Sequence, residues 1–149
     1  YAAYFSIRAK AFSYEDMCLG KERLDEKMSI IKNTPKHEVK NADLDLLREM
    51  KIADEMYARG YEFWPLDIYK AKARLMMIDG KIMPALTSID GMGEKAAQQV
   101  EEAAKGEPFT SLENFRNRTK APQACIEKMK ELGIMGDLSD TDQLSFDFL

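Results

Sequence analysis

Gly60-Tyr61-Glu62-Phe63-Trp64-Pro65 constrains the chain more than any other segment. A glycine after a helical stripe, an aromatic run and then a proline cannot be threaded through one continuous helix. The sequence before this break is helical in period. Ser13-Tyr14-Glu15-Asp16 reads as a capping box, after which Met17, Leu24, Met28 and Ile31 share one stripe that Asn33 and Pro35 stop, with Gly20 as a point of interruption. A second helix is expected from Asn41, with Leu46, Met50, Ala53 and Tyr57 on its buried side and Gly60 beyond its end. Tyr1 to Ala9, aromatic and small, should pack against the rest.

After the break the period shortens. Leu66, Ile68 and Tyr69, then Leu75 to Ile78 and Ile82-Met83, read as short strands, the last two joined by an Asp79-Gly80 hairpin. Thr110-Ser111-Leu112-Glu113 reads as a capping box opening a short helix through Phe115. Pro122 begins another, with Ile126, Met129 and Leu132 as its stripe and Gly133 as its stop. The fold class is therefore mainly α with a small β-ribbon. We expect a helical region over 1–60, a ribbon with further short helices over 61–136, and a flexible tail over 137–149.

Composition narrows the functions. The 149 residues carry 22 Lys and Arg against 26 Asp and Glu, a net charge of −4, which argues against broad electrostatic coating of nucleic acid. Any contact with a polyanion should be local and made partly by backbone groups. No apolar run is long enough to span a membrane, so no membrane partner is expected. Cys18 and Cys125 match no ligand or disulfide spacing, and His37 is the only histidine, so no metal site is expected in this chain. The cysteine usage favours a reducing, cytoplasmic compartment. Tyr1 in place of an initiating methionine reads as a fragment or processed product.

The sharpest chemistry lies in Leu86 to Val100, which matches a helix-hairpin-helix pattern. Gly91 and Gly93 permit a tight turn and let the backbone approach a ligand, while Met92 between them plugs the hairpin into the core. Ala97 and Val100 fall on the buried side of the following helix. The amides of the turn and of that helix N-terminus make an anion site suited to a DNA phosphate, with Lys95 as a nearby point charge, and binding would be independent of base sequence. A purely structural glycine turn is the alternative. The basic residues between Gly91 and Lys130 are balanced by glutamates, so one hairpin holding one or two phosphates should bind weakly, with a salt slope of about −1 to −2.

The end of the chain has a different texture. Gln143-Leu144-Ser145-Phe146-Asp147-Phe148-Leu149 follows the acidic run from Asp137 to Asp142. A partner with an apolar pocket would recover roughly 1.5–3 kcal/mol for each large side chain it buries. The segment therefore reads as a docking peptide, with a tail folded back on its own domain as the alternative.

Several stretches together, YAAYFSIRA (1–9), EMYARGYEF (55–63), LDIYKAKA (66–73), IMPALTSIDGMGEKAAQQV (82–100), GEPFTSLENFRNR (106–118), CIEKMKELGIMGDL (125–138) and DQLSFDF (142–148), resemble in order the C-terminal part of bacterial DNA polymerase III alpha subunits of the PolC type. The resemblance covers the whole chain. It implies the end of the polymerase fingers over residues 1–60, a duplex-binding domain over 61–136, and a tail that docks on the sliding clamp, the beta subunit. Gly91, Met92, Gly93 and Lys95 would hold the duplex backbone. Gln143, Leu144, Ser145, Phe146 and Phe148 would be the clamp motif, with Phe146 in place of the family's usual leucine. Asp90 stands where the family often has proline or another uncharged residue. Arg8 and Lys10 are candidates for the border of the nucleotide site by charge and neighbourhood alone.

The resemblance also implies that catalysis lies elsewhere. The family holds magnesium with palm carboxylates that precede the fingers, and Asp67, Asp79 and Asp90 match no such set. The isolated chain is expected to be inactive in nucleotidyl transfer and to contain no cofactor. Two other readings stay open: a helix-hairpin-helix module of a repair nuclease or ligase, and a protein-interaction module.

Overall fold

A computed structural model describes residues 1–141, so the expected docking peptide from Gln143 to Phe148 lies outside the described residues. The fold is mainly helical with one two-stranded ribbon. Helix α1 (Ala2–Ile7) buries Phe5 completely and runs into a 3-10 turn at Ala9–Ala11. Ser13 starts α2 (Tyr14–Met17) by accepting a hydrogen bond from the Asp16 amide at 3.3 Å. Gly20, at φ +108°, then separates α2 from α3 (Lys21–Asn33), which buries Leu24, Met28 and Ile31. Helix α4 (Asn41–Ala58) packs on α3 and buries Met50, Ala53 and Met56.

One buried residue of α4 breaks the apolar stripe. Glu49 is only 2% exposed; its Oε1 accepts a hydrogen bond from the Tyr4 hydroxyl at 3.4 Å, and its Oε2 has no partner among the described residues. Burial pushes this carboxyl above its ordinary range, against the opposing charge of Arg8.

The core continues across residue 60. Phe63 meets Phe5, Phe12 and Tyr57 with ring centroids 5.8, 5.6 and 5.8 Å apart. The Tyr14 hydroxyl accepts a hydrogen bond from the buried Leu66 amide at 3.0 Å, supplying the acceptor that a strand partner would otherwise provide. Strands β1 (Met76–Ile78) and β2 (Lys81–Met83) pair antiparallel, Met76 opposite Met83, around the expected Asp79-Gly80 turn. Both turn residues have positive φ, +48° and +82°, as a two-residue hairpin that follows strand twist requires.

The expected strand at Leu66, Ile68 and Tyr69 is instead a turn. The Asp67 carboxylate accepts from the Tyr69 amide at 2.8 Å, and the Asp67 carbonyl accepts from Lys70 and Ala71, so local bonds replace ladder bonds. Leu66 and Ile68 are still buried.

Helices α5 (Glu94–Ala103), α6 (Leu112–Thr119) and α7 (Gln123–Glu131) complete the fold. Helix α6 starts one residue later than expected and runs past Phe115. Ser111 Oγ, not Thr110, accepts from the Asn114 amide at 2.9 Å, and Asn114 Oδ1 reaches back to the Thr110 amide at 3.2 Å. Arg118, expected on a solvated face, donates to the Ala103 carbonyl at 2.8 Å at the end of α5 and lies 4.5 Å over the Phe109 ring. The first part of the acidic run is also bonded: the carbonyls of Ser139 and Asp140 accept from the amides of Leu112 and Glu113 at 2.8 and 3.0 Å. Among the described residues no helix is long and apolar enough to cross a membrane.

Candidate nucleic-acid interface

The hairpin between β2 and α5 is built by short-range bonds. Ser88 donates to the Ala85 carbonyl, Ile89 to that of Leu86 and Met92 to that of Ile89, at 3.0, 3.2 and 3.0 Å, so its first arm is a single 3-10 turn, Leu86–Ser88. Leu86, Ile89 and Met92 point into the core. With its side chain buried and its amide bonded to Ile89, Met92 seats the hairpin and offers neither group to a ligand.

The two glycines do different work. Gly91 has φ +83°, and a Cβ there would lie 3.3 Å from the Cys125 sulfur of α7, so the fold itself requires glycine. Cys125, expected only as a small core residue, also donates weakly to the Asp90 carbonyl at 3.6 Å and so braces the turn from below. Gly93 has φ −73° and open space where a Cβ would stand. Among the described residues nothing demands glycine at 93.

Helix α5 begins at Gly93 with no side-chain cap, and its first bond is from Ala97 to the Gly93 carbonyl at 2.9 Å. The amides of Glu94, Lys95 and Ala96 precede that bond and have no acceptor among the described residues. Their donors and the positive end of the helix dipole face solvent beside Gly93. Lys95 is exposed and makes no ion pair among the described residues. The structure thus brings Gly91, Gly93 and Lys95 to one surface, with Asp90 on its edge. Asp90 adds a small share to the field that holds the Lys128 ammonium above its ordinary range, behind the larger contribution of Glu15, which bonds Lys128 at 2.8 Å.

Residues that fix this surface escaped the sequence reading. The Ala73 amide donates to Glu101 Oε2 at 2.9 Å, and the Ala73 carbonyl accepts from Thr87 Oγ1 at 3.2 Å, which ties the segment before β1 to both the hairpin and α5. Tyr69 stacks on Phe109 at 5.7 Å and accepts the Phe109 amide. These partners are 14 to 40 residues apart, and no local pattern pairs them.

The magnesium implied by the polymerase resemblance does not fit the residues present. Asp67 is engaged in its own turn, Asp79 sits in the ribbon turn and Asp90 precedes Gly91; among the described residues no group of three His, Cys, Asp or Glu side chains is placed to hold a metal ion. Cys18 and Cys125 are both free and buried.

The family described as helix-hairpin-helix motif matches residues 60–144. The chain is 39% identical over 147 residues to the DNA polymerase III PolC-type of Streptococcus pneumoniae serotype 2 (strain D39 / NCTC 7466), covering 97% of this chain and 10% of that protein. It is 40% identical over the same span to the enzyme of that name from Streptococcus suis (strain 98HAH33), and 37% to that from Streptococcus sanguinis (strain SK36). It spans about a tenth of the length of these curated relatives. With a family match over more than half its length, a span that includes the turn at Gly91 and Gly93, the chain belongs to the helix-hairpin-helix family, and nearly all of it is similar to a segment of PolC-type DNA polymerase III.

Proposed function

We propose that this chain is the C-terminal part of a PolC-type replicative DNA polymerase, holding the template-primer duplex through its phosphate backbone and docking the enzyme on a sliding clamp in the cytoplasm. In this reading residues 1–60 close the fingers, 61–136 bind duplex and 137–149 carry the clamp motif. The observation that carries the duplex reading is the bare start of α5 beside Gly93, where the fold leaves backbone donors unused and keeps a side chain out of the way. A phosphate at that point accepts from those amides and meets the helix dipole, with Lys95 adding charge. None of these contacts reads a base, so affinity should not depend on sequence.

Fluorescence anisotropy with two labelled duplexes of unrelated sequence tests the proposal. Equal binding to both is expected, and Gly93→Val should weaken it about tenfold or more while the melting temperature changes little. Absence of duplex binding, or full binding by Gly93→Val, would overturn the hairpin's role.

The clamp reading rests on sequence alone: Gln143, Leu144, Ser145, Phe146 and Phe148 supply the glutamine and spaced aromatic anchors that an apolar pocket recognises. Titration against a bacterial beta clamp, with Gln143→Ala as control, should show binding that the substitution removes. Magnesium chemistry belongs to parts of the polymerase outside this chain, and nucleotide incorporation by the isolated chain on a primed template would contradict that assignment.

A further inference from the structure

Three segments distant in sequence converge beside the hairpin. The turn Ala9–Ala11 packs against the Leu86–Ser88 turn, and the segment before β1 is tied to the hairpin by the Thr87 to Ala73 bond. Between them opens a cavity of about 690 Å³ with Phe5, Phe12 and Met92 in its walls and Lys10, Arg74 and Glu94 at its mouth. Its wall is continuous with the start of α5 through Met92 and Glu94.

Some cations on this surface are paired with carboxylates and others are not. Lys21, Lys72, Lys81, Lys105, Lys128 and Lys130 each have a carboxylate within 4 Å. Lys10 and Arg74 are exposed and make no ion pair or hydrogen bond among the described residues. Their backbones are nonetheless fixed. Ala11 and Phe12 bond back to Arg8 and Ala9 around Lys10, and the neighbour of Arg74, Ala73, is held on both its amide and its carbonyl. In the lining of this cavity Lys10 and Arg74, on backbone held by these bonds, stand against one carboxylate, Glu94, in a chain whose net charge is −4.

We infer that Lys10 and Arg74 form a second phosphate-binding station, gripping further backbone phosphates of the same duplex that the hairpin holds. The inference rests on the duplex-binding reading of the hairpin and assigns contacts outside the Leu86 to Val100 hairpin itself. It couples the N-terminal helical region directly to the DNA. Lys10 acts as a point charge and Arg74 as a planar donor, and both read phosphate rather than base.

The salt dependence of duplex binding tests it. Each neutralised phosphate contributes roughly −0.9 to the slope of log K against log salt, so the hairpin alone gives about −1 to −2, and both stations together give about −3 to −4. Lys10→Gln and Arg74→Gln should each make the slope shallower by about 0.9 and weaken binding on the order of threefold to tenfold at 0.1 M salt. Melting temperatures should stay unchanged, because both side chains are exposed. Lys36→Gln, outside the cavity, is the control for general charge and should leave the slope alone. Unchanged slopes for Lys10→Gln and Arg74→Gln, with Gly93→Val still defective, would overturn the second station and leave the hairpin reading standing. An equal slope change from Lys36→Gln would overturn it as well. Failure of the intact chain to bind duplex at any salt would remove the hairpin reading, and the second station with it.

Discussion

Helices α5 and α6 pack side by side but start in opposite ways. Every early amide of α6 has an acceptor within the chain: Leu112 and Glu113 bond the carbonyls of Ser139 and Asp140, and Asn114 bonds Ser111 Oγ. The corresponding amides of α5 have none among the described residues. Helix α3 also starts at an uncapped glycine, Gly20, so a bare start is not by itself a binding site. What distinguishes α5 is its setting. Its start follows a turn locked at Gly91 by Cys125, lies beside a glycine that the fold does not need, and belongs to a segment matched by the helix-hairpin-helix family. The contrast separates an N-terminus completed by its own chain from one left for a partner.

The largest expected effect removes what both helices rest on. Phe115→Ala, at a fully buried ring 4.8 Å from that of Phe109, should cost about 3–5 kcal/mol in urea unfolding and abolish duplex binding together with stability. Next is Gly91→Val. It forces a β-branched residue to φ +83° against the Cys125 sulfur and should cost about 1–3 kcal/mol, whereas the same change at Gly93 should leave stability nearly intact. Equal destabilisation at the two glycines would erase the distinction between a structural and a binding glycine. Ser111→Ala should cost about 1 kcal/mol and leave duplex affinity unchanged. Smallest is Lys130→Ala, which breaks an exposed 2.9 Å pair with Asp140 and should change stability by no more than about 0.2–1 kcal/mol.

Features decided locally were legible in the sequence. Ser13 at the start of α2, the interruption at Gly20, the stripes of α3 and α4, the Asp79-Gly80 hairpin and the Gly91 turn each depend on residues within a few positions. Two misreadings were also local: at Asp67 a carboxylate turn competed with a strand, and at Thr110-Ser111 two adjacent hydroxyls offered nearly equivalent caps. The remainder was hidden because it depends on distance in sequence. Nothing near Glu49 marks it as buried, nothing near Arg118 points to the end of α5, and Tyr14 gives no sign that its hydroxyl serves Leu66. For the candidate interface, the glycines and Lys95 could be read directly, while the bracing by Cys125, Thr87 and Glu101 could not.

The ring cluster of Phe5, Phe12, Tyr57 and Phe63 has a consequence for biosynthesis. Translation delivers Phe5 and Phe12 long before the residues that cover them, Phe63 and Leu66. At about 5–20 residues per second the wait is on the order of several seconds, during which a nascent aromatic surface stands open to chaperones or to neighbouring chains. Severing the polypeptide near residue 60 would make that exposure permanent on both pieces, leaving two unfinished cores where the intact chain has one.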